Sequence, residues 1–207
     1  MNKEHILHYL NYHGKVDDKI NTLIDECIKE VKEVASFKSL SMKLPVSHLP
    51  LKINDIEIKS QDLDFYFQHC NECMIVACTL GLEIDRRVKY YEHVDMAKAV
   101  VFDAVSNCFL EECENEYEKS LNLGLHTFRF APGYGDIPLT LNGDILKRLQ
   151  ADKRLGITLT SSHLMLPMKS IVGMIGIGDD AHKTCLSCIR KESCSLRKGG
   201  QRCYVID

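Results

Sequence analysis

Arg129-Phe130-Ala131-Pro132-Gly133-Tyr134-Gly135-Asp136 is the stretch around which the rest of the chain is interpreted. A proline and two glycines so close together exclude a regular helix or a central strand, because proline fixes φ and lacks an N–H group. Glycine permits positive φ and lets other groups approach the backbone closely. The stretch is therefore predicted to be a loop that presents backbone groups to a ligand.

The side chains of this loop suit a zwitterionic ligand that carries a ring, such as an amino-acid-bearing nucleoside. Arg129 supplies a planar guanidinium fork that matches a carboxylate or a phosphate. Tyr134 supplies an aromatic wall with one polar tip. On spacing alone, an ordinary Pro-Gly turn beside a surface arginine is the favoured interpretation, and the ligand site is the alternative.

Outward from the loop, the chain alternates irregularly between helical and strand patterns. Apolar residues at helical spacing predict a long helix in residues 96–121 and an amphipathic helix in residues 17–35. Further helices are predicted in residues 61–69, 82–91 and 138–149, and strands in residues 74–79, 125–130 and 157–160. Residues 40–58 are predicted to form short strands broken by Pro45 and Pro50, and residues 164–177 to form strands interrupted near Pro167. The fold class is predicted to be α+β, with an irregular mixed or antiparallel sheet and long packed helices.

The domain organisation follows from the same patterns. Residues 1–180 are predicted to form one domain with a helical N-terminal part, residues 1–35. Residues 181–207 are predicted to form a cysteine-rich tail. Length permits this division, since 207 residues need no second core.

Composition narrows the classes of function. The net charge of −3 does not suggest a nucleic-acid partner. No apolar run reaches transmembrane length and the N-terminus lacks the apolar stretch of a signal peptide, so we expect a cytoplasmic protein without membrane contact. Ten cysteines in such a chain indicate metal or redox chemistry rather than a secreted disulfide framework.

The tail supplies four thiolates at short spacing. Cys185, Cys188, Cys194 and Cys203 follow the pattern Cys-x2-Cys-x5-Cys-x8-Cys. Four thiolates suit either tetrahedral Zn²⁺ or an iron–sulfur cluster, and spacing does not separate the two. From residue 183 to the end the local charge balance is +4, which could offset a thiolate-ligated centre or dock an acidic electron carrier. Free or disulfide-linked thiols are the third interpretation.

The other cysteines give weaker signals. Cys70 and Cys73 form a Cys-x2-Cys pair without a clear partner pair, and small buried hydrophobic residues are the favoured interpretation. Cys27, Cys108 and Cys113 lie at helical core spacing and are predicted to be core residues.

Several segments together resemble one known family. Arg-x-x-x-Gly-Tyr within the loop resembles the S-adenosylmethionine-binding loop of the activation domain of cobalamin-dependent methionine synthase. The segment from Ala77 to Asp85 resembles the "TLG…D" segment of short, free-standing members. Further similarities are Asp103-Ala104-Val105 with Glu111 on the long central helix, and Thr160, Ser161, Met165, Pro167, Ser170 and Gly173 in the late strand region.

The resemblance implies a ligand and a role for each matching residue. Arg129 would hold the methionine carboxylate of S-adenosylmethionine, with the backbone of Ala131, Pro132, Gly133 and Tyr134 around the rest of the ligand. Glu111 would be a contact for the ligand's ammonium or ribose. No catalytic residue is implied, because such a domain orients the sulfonium methyl near cobalt.

The resemblance also implies partners. Cobalamin would be held by the corrinoid-binding domain or subunit of methionine synthase, and a reduced carrier such as flavodoxin or ferredoxin would supply one electron. The chain would then be an accessory component of the methyltransferase. Two other hypotheses stay open, an iron–sulfur activator of another corrinoid methyltransferase and a non-catalytic zinc-binding interaction domain.

Overall fold

The computed structural model describes residues 1–178, except His13 and Lys15, together with Lys198. The four tail cysteines named above lie outside the described residues. The chain divides into two compact units. The helical unit comprises Met1–Leu40, Ala77–Asn122 and Leu146–Ile171, and the sheet unit comprises Ser41–Val76, Leu123–Ile145 and the described residues from Val172 onward.

Helices and strands follow one another in an irregular order along the chain, which fits the predicted α+β class. The helices are α1 (Lys3–Tyr9), α2 (Asp18–Val34), α3 (Gln61–Phe67), α4 (Leu82–Val94), α5 (Met96–Ser120), α6 (Leu141–Leu149) and α7 (Ala151–Arg154). The strands are β1 (Lys38–Ser47), β2 (Lys52–Ile53), β3 (Ile56–Glu57), β4 (Glu72–Thr79), β5 (His126–Phe130), β6 (Thr158–Leu159), β7 (Met165–Leu166) and β8 (Ser170–Ile177).

The two long helices of the helical unit begin at aspartate caps. Asp17 accepts a hydrogen bond from the backbone N–H of Ile20, and Asp95 accepts one from that of Lys98. Each cap satisfies one of the N–H groups that the first turn of a helix leaves without an intrahelical partner. The predicted helices at residues 17–35 and 96–121 are confirmed almost to the residue because the caps are local.

Helix α5 is the centre of the helical unit, since α1, α2 and α4 all pack against it. Its buried side chains include Phe102 and Val105, both fully shielded from solvent. They lie in one apolar cluster with residues of α1, α2 and α4, which include Ile6, Ile24, Val31 and Ile84.

A charge network lies beside this core. Glu30 on α2 accepts a hydrogen bond from the hydroxyl of Tyr91 and forms ion pairs with Arg87 at 3.2 Å and Lys98 at 3.1 Å. Burial tends to raise the pKa of Glu30, but the hydrogen bonds from Tyr91 and Lys98 and the charge of Arg87 outweigh it and hold the pKa below its ordinary value.

The six-stranded sheet has the order β3-β2-β1-β4-β8-β5, and β6 and β7 form a separate two-stranded sheet. The pairs β1–β2, β2–β3, β5–β8 and β6–β7 are antiparallel. The predicted interruption near Pro167 is confirmed, because β7 ends at Leu166 and β8 begins at Ser170.

Two predicted boundaries were wrong. The helix predicted from residue 138 begins at Leu141, because Pro138 and the next two residues form single turns in which Leu141 donates to the carbonyl of Pro138. Pro45 was expected to break a strand but lies inside β1. Its carbonyl still accepts a hydrogen bond from the N–H of Asn54, so proline removes only the donor at this position.

Within the part of the chain that the structure describes, no helix is both long enough and apolar enough to cross a membrane.

Candidate functional site

The loop of residues 129–136, here called the Pro-Gly loop, lies in the sheet unit, and its first two residues are the last two of β5. Its backbone makes two successive turns. Tyr134 donates its N–H to the carbonyl of Ala131 at 3.1 Å, and Ile137 donates to the carbonyl of Tyr134 at 2.9 Å. The predicted loop is therefore confirmed as a double turn.

Glycine is required at both turns. Gly133 follows Pro132 and has a φ of +88°, the pattern of a type II turn with proline at its first central position. Gly135 has a φ of +55° at the first central position of the next turn, where turns of the mirror-image types need positive φ. The N–H of Gly133 also closes the two turns by donating to the carbonyl of Ile137.

The start of the Pro-Gly loop is anchored by aromatic packing. Phe130 is buried and stacks on Tyr66, with ring centroids 4.6 Å apart and an angle of 18° between the rings. The ring of Phe67 packs edge-on against the ring of Phe130, with ring centroids 6.2 Å apart. Because Tyr66 and Phe67 both belong to α3, this helix fixes the point at which the loop leaves β5.

The end of the Pro-Gly loop is anchored to the same helix by hydrogen bonds. Asp136 accepts from the hydroxyl of Ser60 and from the N–H of Gln61 at 2.6 Å, and its own N–H donates to Asp62 at 3.3 Å. The hydrogen bond from Ser60, followed by those from the backbone N–H groups, holds the pKa of Asp136 below its ordinary value.

Between these anchors the loop exposes residues that could contact a ligand. Tyr134 is 44% exposed, and Gly133 and Gly135 are exposed as well. Arg129 is half-buried near the end of strand β5. Since the N–H groups of Gly133 and Tyr134 donate within the loop, a ligand would contact the loop through its side chains, carbonyls and other N–H groups.

A β-bulge immediately precedes Arg129. His126 pairs with Ile177 but Arg129 pairs with Ile175, so β5 carries one extra residue between these two pairs. Thr127 lies in the bulge and its hydroxyl oxygen accepts a hydrogen bond from the N–H of Gly176 at 3.0 Å. Bulges bend a strand and re-aim the side chains that follow, so the bulge helps to determine the direction of Arg129.

Glu111 lies in the helical unit rather than in the sheet unit. It is an exposed residue on α5 and accepts a hydrogen bond from the hydroxyl of Tyr9 on α1. The structure thus brings Arg129, Ala131, Pro132, Gly133 and Tyr134 together in one loop, and it places Glu111 on a separate element. Its role toward a ligand remains a prediction.

The other motif segments meet in a polar cluster of the helical unit. Lys169 is only 7% exposed, and its ammonium group lies 2.7 Å from both Asp103 and the amide oxygen of Asn107. Next to it, Met168 donates its N–H to Asp85 at 2.7 Å. Because a buried lysine needs such partners, the cluster stabilises the packing of the segments that carry these residues.

The cysteines of the described residues are structural. Six are present, all outside disulfides, and Cys70 and Cys73 are 2% and 0% exposed. Burial raises the pKa of Cys70 to about 11 and that of Cys27 to about 12, so both remain neutral thiols at neutral pH. The favoured interpretation of the Cys70–Cys73 pair as core residues is confirmed. Within the described ranges, no group of three or more histidine, cysteine or acidic side chains is arranged to hold a metal.

Residues 111–197, which include the whole Pro-Gly loop, match the family model described as "Vitamin B12 dependent methionine synthase, activation domain". The fold is similar to a crystal structure of the MetH reactivation domain bound to AdoHcy. The TM-score is 0.66 at 15% sequence identity, over 94% of this chain and 80% of that chain. The resemblance to the activation domain is confirmed. No sequence among the curated proteins matches the chain.

Two residues of this activation-domain fold gained no role from sequence reasoning. Asp136 stands in the quoted loop, but its bonds reach α3, whose sequence lies about seventy-five positions earlier. Lys169 lies between two quoted motif residues, and its partner Asp103 precedes it by more than sixty positions. The sequence signal for Asp136 is a carboxylate at the end of the Pro-Gly loop. The sequence signal for Lys169 is a lone lysine in an apolar strand region.

Proposed function

We propose that the chain binds S-adenosylmethionine through Arg129, Ala131, Pro132, Gly133 and Tyr134 and serves as a reactivation subunit of cobalamin-dependent methionine synthase. In this role it supports reductive methylation of the Co(II) corrinoid that a partner domain or subunit holds. The observation that carries the proposal is the anchored Pro-Gly loop inside the segment matched by the activation-domain family model.

The chemistry of the loop fits such a ligand. The guanidinium of Arg129 provides two parallel donors for the α-carboxylate. The exposed ring of Tyr134 offers an apolar face to the nucleoside, and the glycines beside it leave room for close approach. The structure solved with AdoHcy shares the fold, which supports a ligand that has the same amino-acid and nucleoside parts.

The chain's own residues would act by binding and orientation. With the ligand held at its carboxylate, the sulfonium methyl would be presented to the partner's corrinoid, which is the substrate. In this transfer the carbon–sulfur bond would break with its electron pair kept by sulfur, so S-adenosylhomocysteine would leave. One electron from a reduced flavodoxin or ferredoxin would balance the step from Co(II) to the methylated corrinoid. Such a carrier and the absence of disulfides among the described residues are consistent with a cytoplasmic protein.

Ligand binding is tested first on the intact chain. Calorimetric titration with S-adenosylhomocysteine or S-adenosylmethionine should give saturable binding to one site. Arg129→Ala should weaken it about ten- to a hundredfold, since a charge-assisted contact contributes about 1.5–3 kcal/mol. Arg154→Ala, an exposed arginine on α7, is the matched control and should bind like the wild type. Absence of binding at millimolar ligand, also with the partner present, would contradict the proposal.

Partnership is tested with a corrinoid-carrying methionine synthase module. Under a reducing system, addition of the chain and S-adenosylmethionine should convert the Co(II) absorption spectrum to that of the methylated corrinoid, and Arg129→Ala should slow this conversion. The chain alone should not retain cobalamin, so copurification of stoichiometric corrinoid would contradict this part. Conversion only with other corrinoid proteins would favour an activator of a different corrinoid methyltransferase.

For the tail we propose that Cys185, Cys188, Cys194 and Cys203 ligate one centre, an iron–sulfur cluster in preference to zinc. The support is the spacing of the four thiolates and the local charge balance of +4 from residue 183 onward. Anaerobically purified protein should contain iron and sulfide and bleach on reduction. Cys188→Ser should lose the metal and keep its affinity for S-adenosylhomocysteine. A metal-free anaerobic preparation would exclude the centre.

A further inference from the structure

Gly173 on β8 lies directly under the side chain of Arg129. A Cβ atom built at this glycine would stand 2.5 Å from both Cγ and Cδ of Arg129, and 3.3 Å from Cγ2 of Val76. Carbon atoms in contact normally remain about 3.5–4.0 Å apart. The stem of Arg129 therefore occupies the space in which the side chain of any other residue at position 173 would begin.

The strand register explains this contact. Arg129 lies opposite Ile175 and Phe130 lies opposite Met174, so Gly173 comes beside Ala131, the first residue after β5. Residues two positions apart share one face of a strand, which puts Arg129 and Gly173 on the same face. By crossing Gly173, the stem of Arg129 runs toward the Pro-Gly loop rather than away from it.

We propose that Gly173 is a positioning residue for ligand binding, because its missing side chain leaves the space that directs the Arg129 guanidinium to the ligand's carboxylate. The proposal rests on the proposed function. A methyl group at position 173 would force Arg129 into another rotamer and move the guanidinium. A bidentate contact depends on the position and plane of this group, so a displaced guanidinium loses one or both of its hydrogen bonds.

The same substitution does not act through backbone strain. Gly173 is not among the residues with positive φ, so its backbone conformation is accessible to alanine. Its effect should come from the contact with Arg129, together with the milder contact to Val76. This separates Gly173 from Gly133 of the loop, where positive φ makes any substitution strained.

Gly176 on the same strand provides a matched control. It also lacks a positive φ, but a Cβ there would meet the sulfur of Cys70 at 2.6 Å and the ring of Phe67 at 3.1 Å. Its three nearest atoms do not include any of Arg129. Gly176→Ala therefore overpacks the sheet unit on the other face without contact to Arg129. It is a control for the thermal comparison and not for affinity, because its neighbours Phe67 and Thr127 help to hold the loop.

The test is a double-mutant cycle with S-adenosylhomocysteine as the titrated ligand. Gly173→Ala should weaken binding roughly tenfold, and Arg129→Ala should weaken it about ten- to a hundredfold. The chain with both substitutions should bind no more weakly than Arg129→Ala alone, since the glycine acts only through the arginine. Val31→Ala, which truncates a fully buried side chain of α2 in the helical unit, should lower the thermal midpoint and leave the affinity of the folded protein within about twofold of the wild type.

A ligand-free measurement completes the cycle. Because Arg129→Ala removes the atoms that the new methyl group meets, the doubly substituted chain should have a higher thermal midpoint than Gly173→Ala alone. This comparison decides the matter even if Gly173→Ala by itself fails to fold, since recovery of folding supports the contact and its absence contradicts it. The Gly176→Ala variant should show no recovery when combined with Arg129→Ala.

The outcomes separate the inference from the proposed function. Wild-type affinity in Gly173→Ala would overturn the positioning role and leave the proposed function intact. Additive losses in the doubly substituted chain would also overturn it, because they would show that Gly173 acts without Arg129. If the wild-type chain itself binds no S-adenosylhomocysteine, the proposed function fails, and the thermal comparison alone then reports on the contact.

Discussion

The helical unit and the sheet unit differ in how far the polar groups named above are exposed to solvent. In the helical unit, charges are enclosed by partners: Glu30 has a side chain only 18% exposed and pairs with Arg87 and Lys98, and the buried Lys169 pairs with Asp103. In the sheet unit, the Pro-Gly loop leaves Tyr134 and both of its bend glycines open to solvent.

The difference shows how each unit obtains its order. The helical unit is ordered by burial of apolar side chains around α5, and its Glu30 and Lys169 pair with charged residues of the same unit. The Pro-Gly loop is ordered by its two anchors on α3, Phe130 at the start and Asp136 at the end. A surface fixed in this way needs little ordering when a ligand binds, which reduces the entropic cost of binding.

Core truncation should give the largest contrast between the units. Phe102→Ala removes a fully buried ring from the helical unit and should lower the free energy of unfolding by about 3–5 kcal/mol. Tyr134→Ala in the exposed loop should change it by less than about 0.5 kcal/mol. Urea unfolding followed by circular dichroism measures both. A comparable loss in the two variants would contradict the contrast.

Removal of the charge of Glu30 should lower the free energy of unfolding by less than the core truncation does. Glu30→Gln keeps the shape of the side chain but loses its attraction to Arg87 and Lys98. We expect a loss of roughly 1–2 kcal/mol, because Arg87 is partly exposed. Glu33→Gln, at an exposed position of the same helix, is the control and should stay within about 0.5 kcal/mol.

The pH dependence of the Glu30 effect has a defined sign. The pKa of Glu30 is lower in the folded state than in the unfolded state, so its stabilisation is fully present above the ordinary glutamate pKa of about 4.3. It is lost as pH falls through the lowered folded pKa. The difference between the wild type and Glu30→Gln should therefore shrink below about pH 4. A difference that stays constant down to pH 3 would show that the charge is not involved.

A smaller loss of stability than for Glu30→Gln is expected at the loop anchor. Asp136→Asn leaves one acceptor oxygen for Ser60 and the backbone of α3, and should cost about 0.5–1 kcal/mol, similar to loss of part of a helix cap. It should also weaken S-adenosylhomocysteine binding several-fold by loosening the loop. Asp144→Asn on α6, an exposed aspartate, is the control and should leave the calorimetric affinity unchanged.

The stability contribution of Asp136 depends on pH in the same direction as that of Glu30, because folding lowers the pKa of Asp136 as well. Its contribution should be present above the ordinary aspartate pKa of about 3.9 and vanish as pH falls through the folded value. Unaltered affinity in Asp136→Asn would mean that the aromatic anchor at Phe130 is sufficient to fix the loop.

Much of the fold could be predicted because its signals are local. The caps at Asp17 and Asp95 lie directly before the helices that they begin. The buried strand β4 is one short apolar run, and the proline and glycines of the loop exclude regular structure wherever they occur. The start of α6 was predicted three residues too early, because proline is equally compatible with a first helical turn and with single turns before it.

The candidate site could be predicted only in part. The loop residues are adjacent in sequence, so any fold that forms the loop brings Arg129 and Tyr134 close together. Glu111 was predicted on the long central helix and lies on α5, but its position relative to a ligand depends on packing that no motif encodes. The anchors at Tyr66 and Ser60 were missed for the same reason.

The sequence by itself determined the α+β class, the helix caps, the loop and the residue types that suit a carboxylate-bearing nucleoside, because each depends on neighbours a few positions apart. Only the tertiary structure decided that Asp136 ties the loop to α3 and that Lys169 meets Asp103. It alone also put Gly173 beneath Arg129. These contacts join positions forty or more apart, and strand register and helix packing, which depend on the whole core, bring them together.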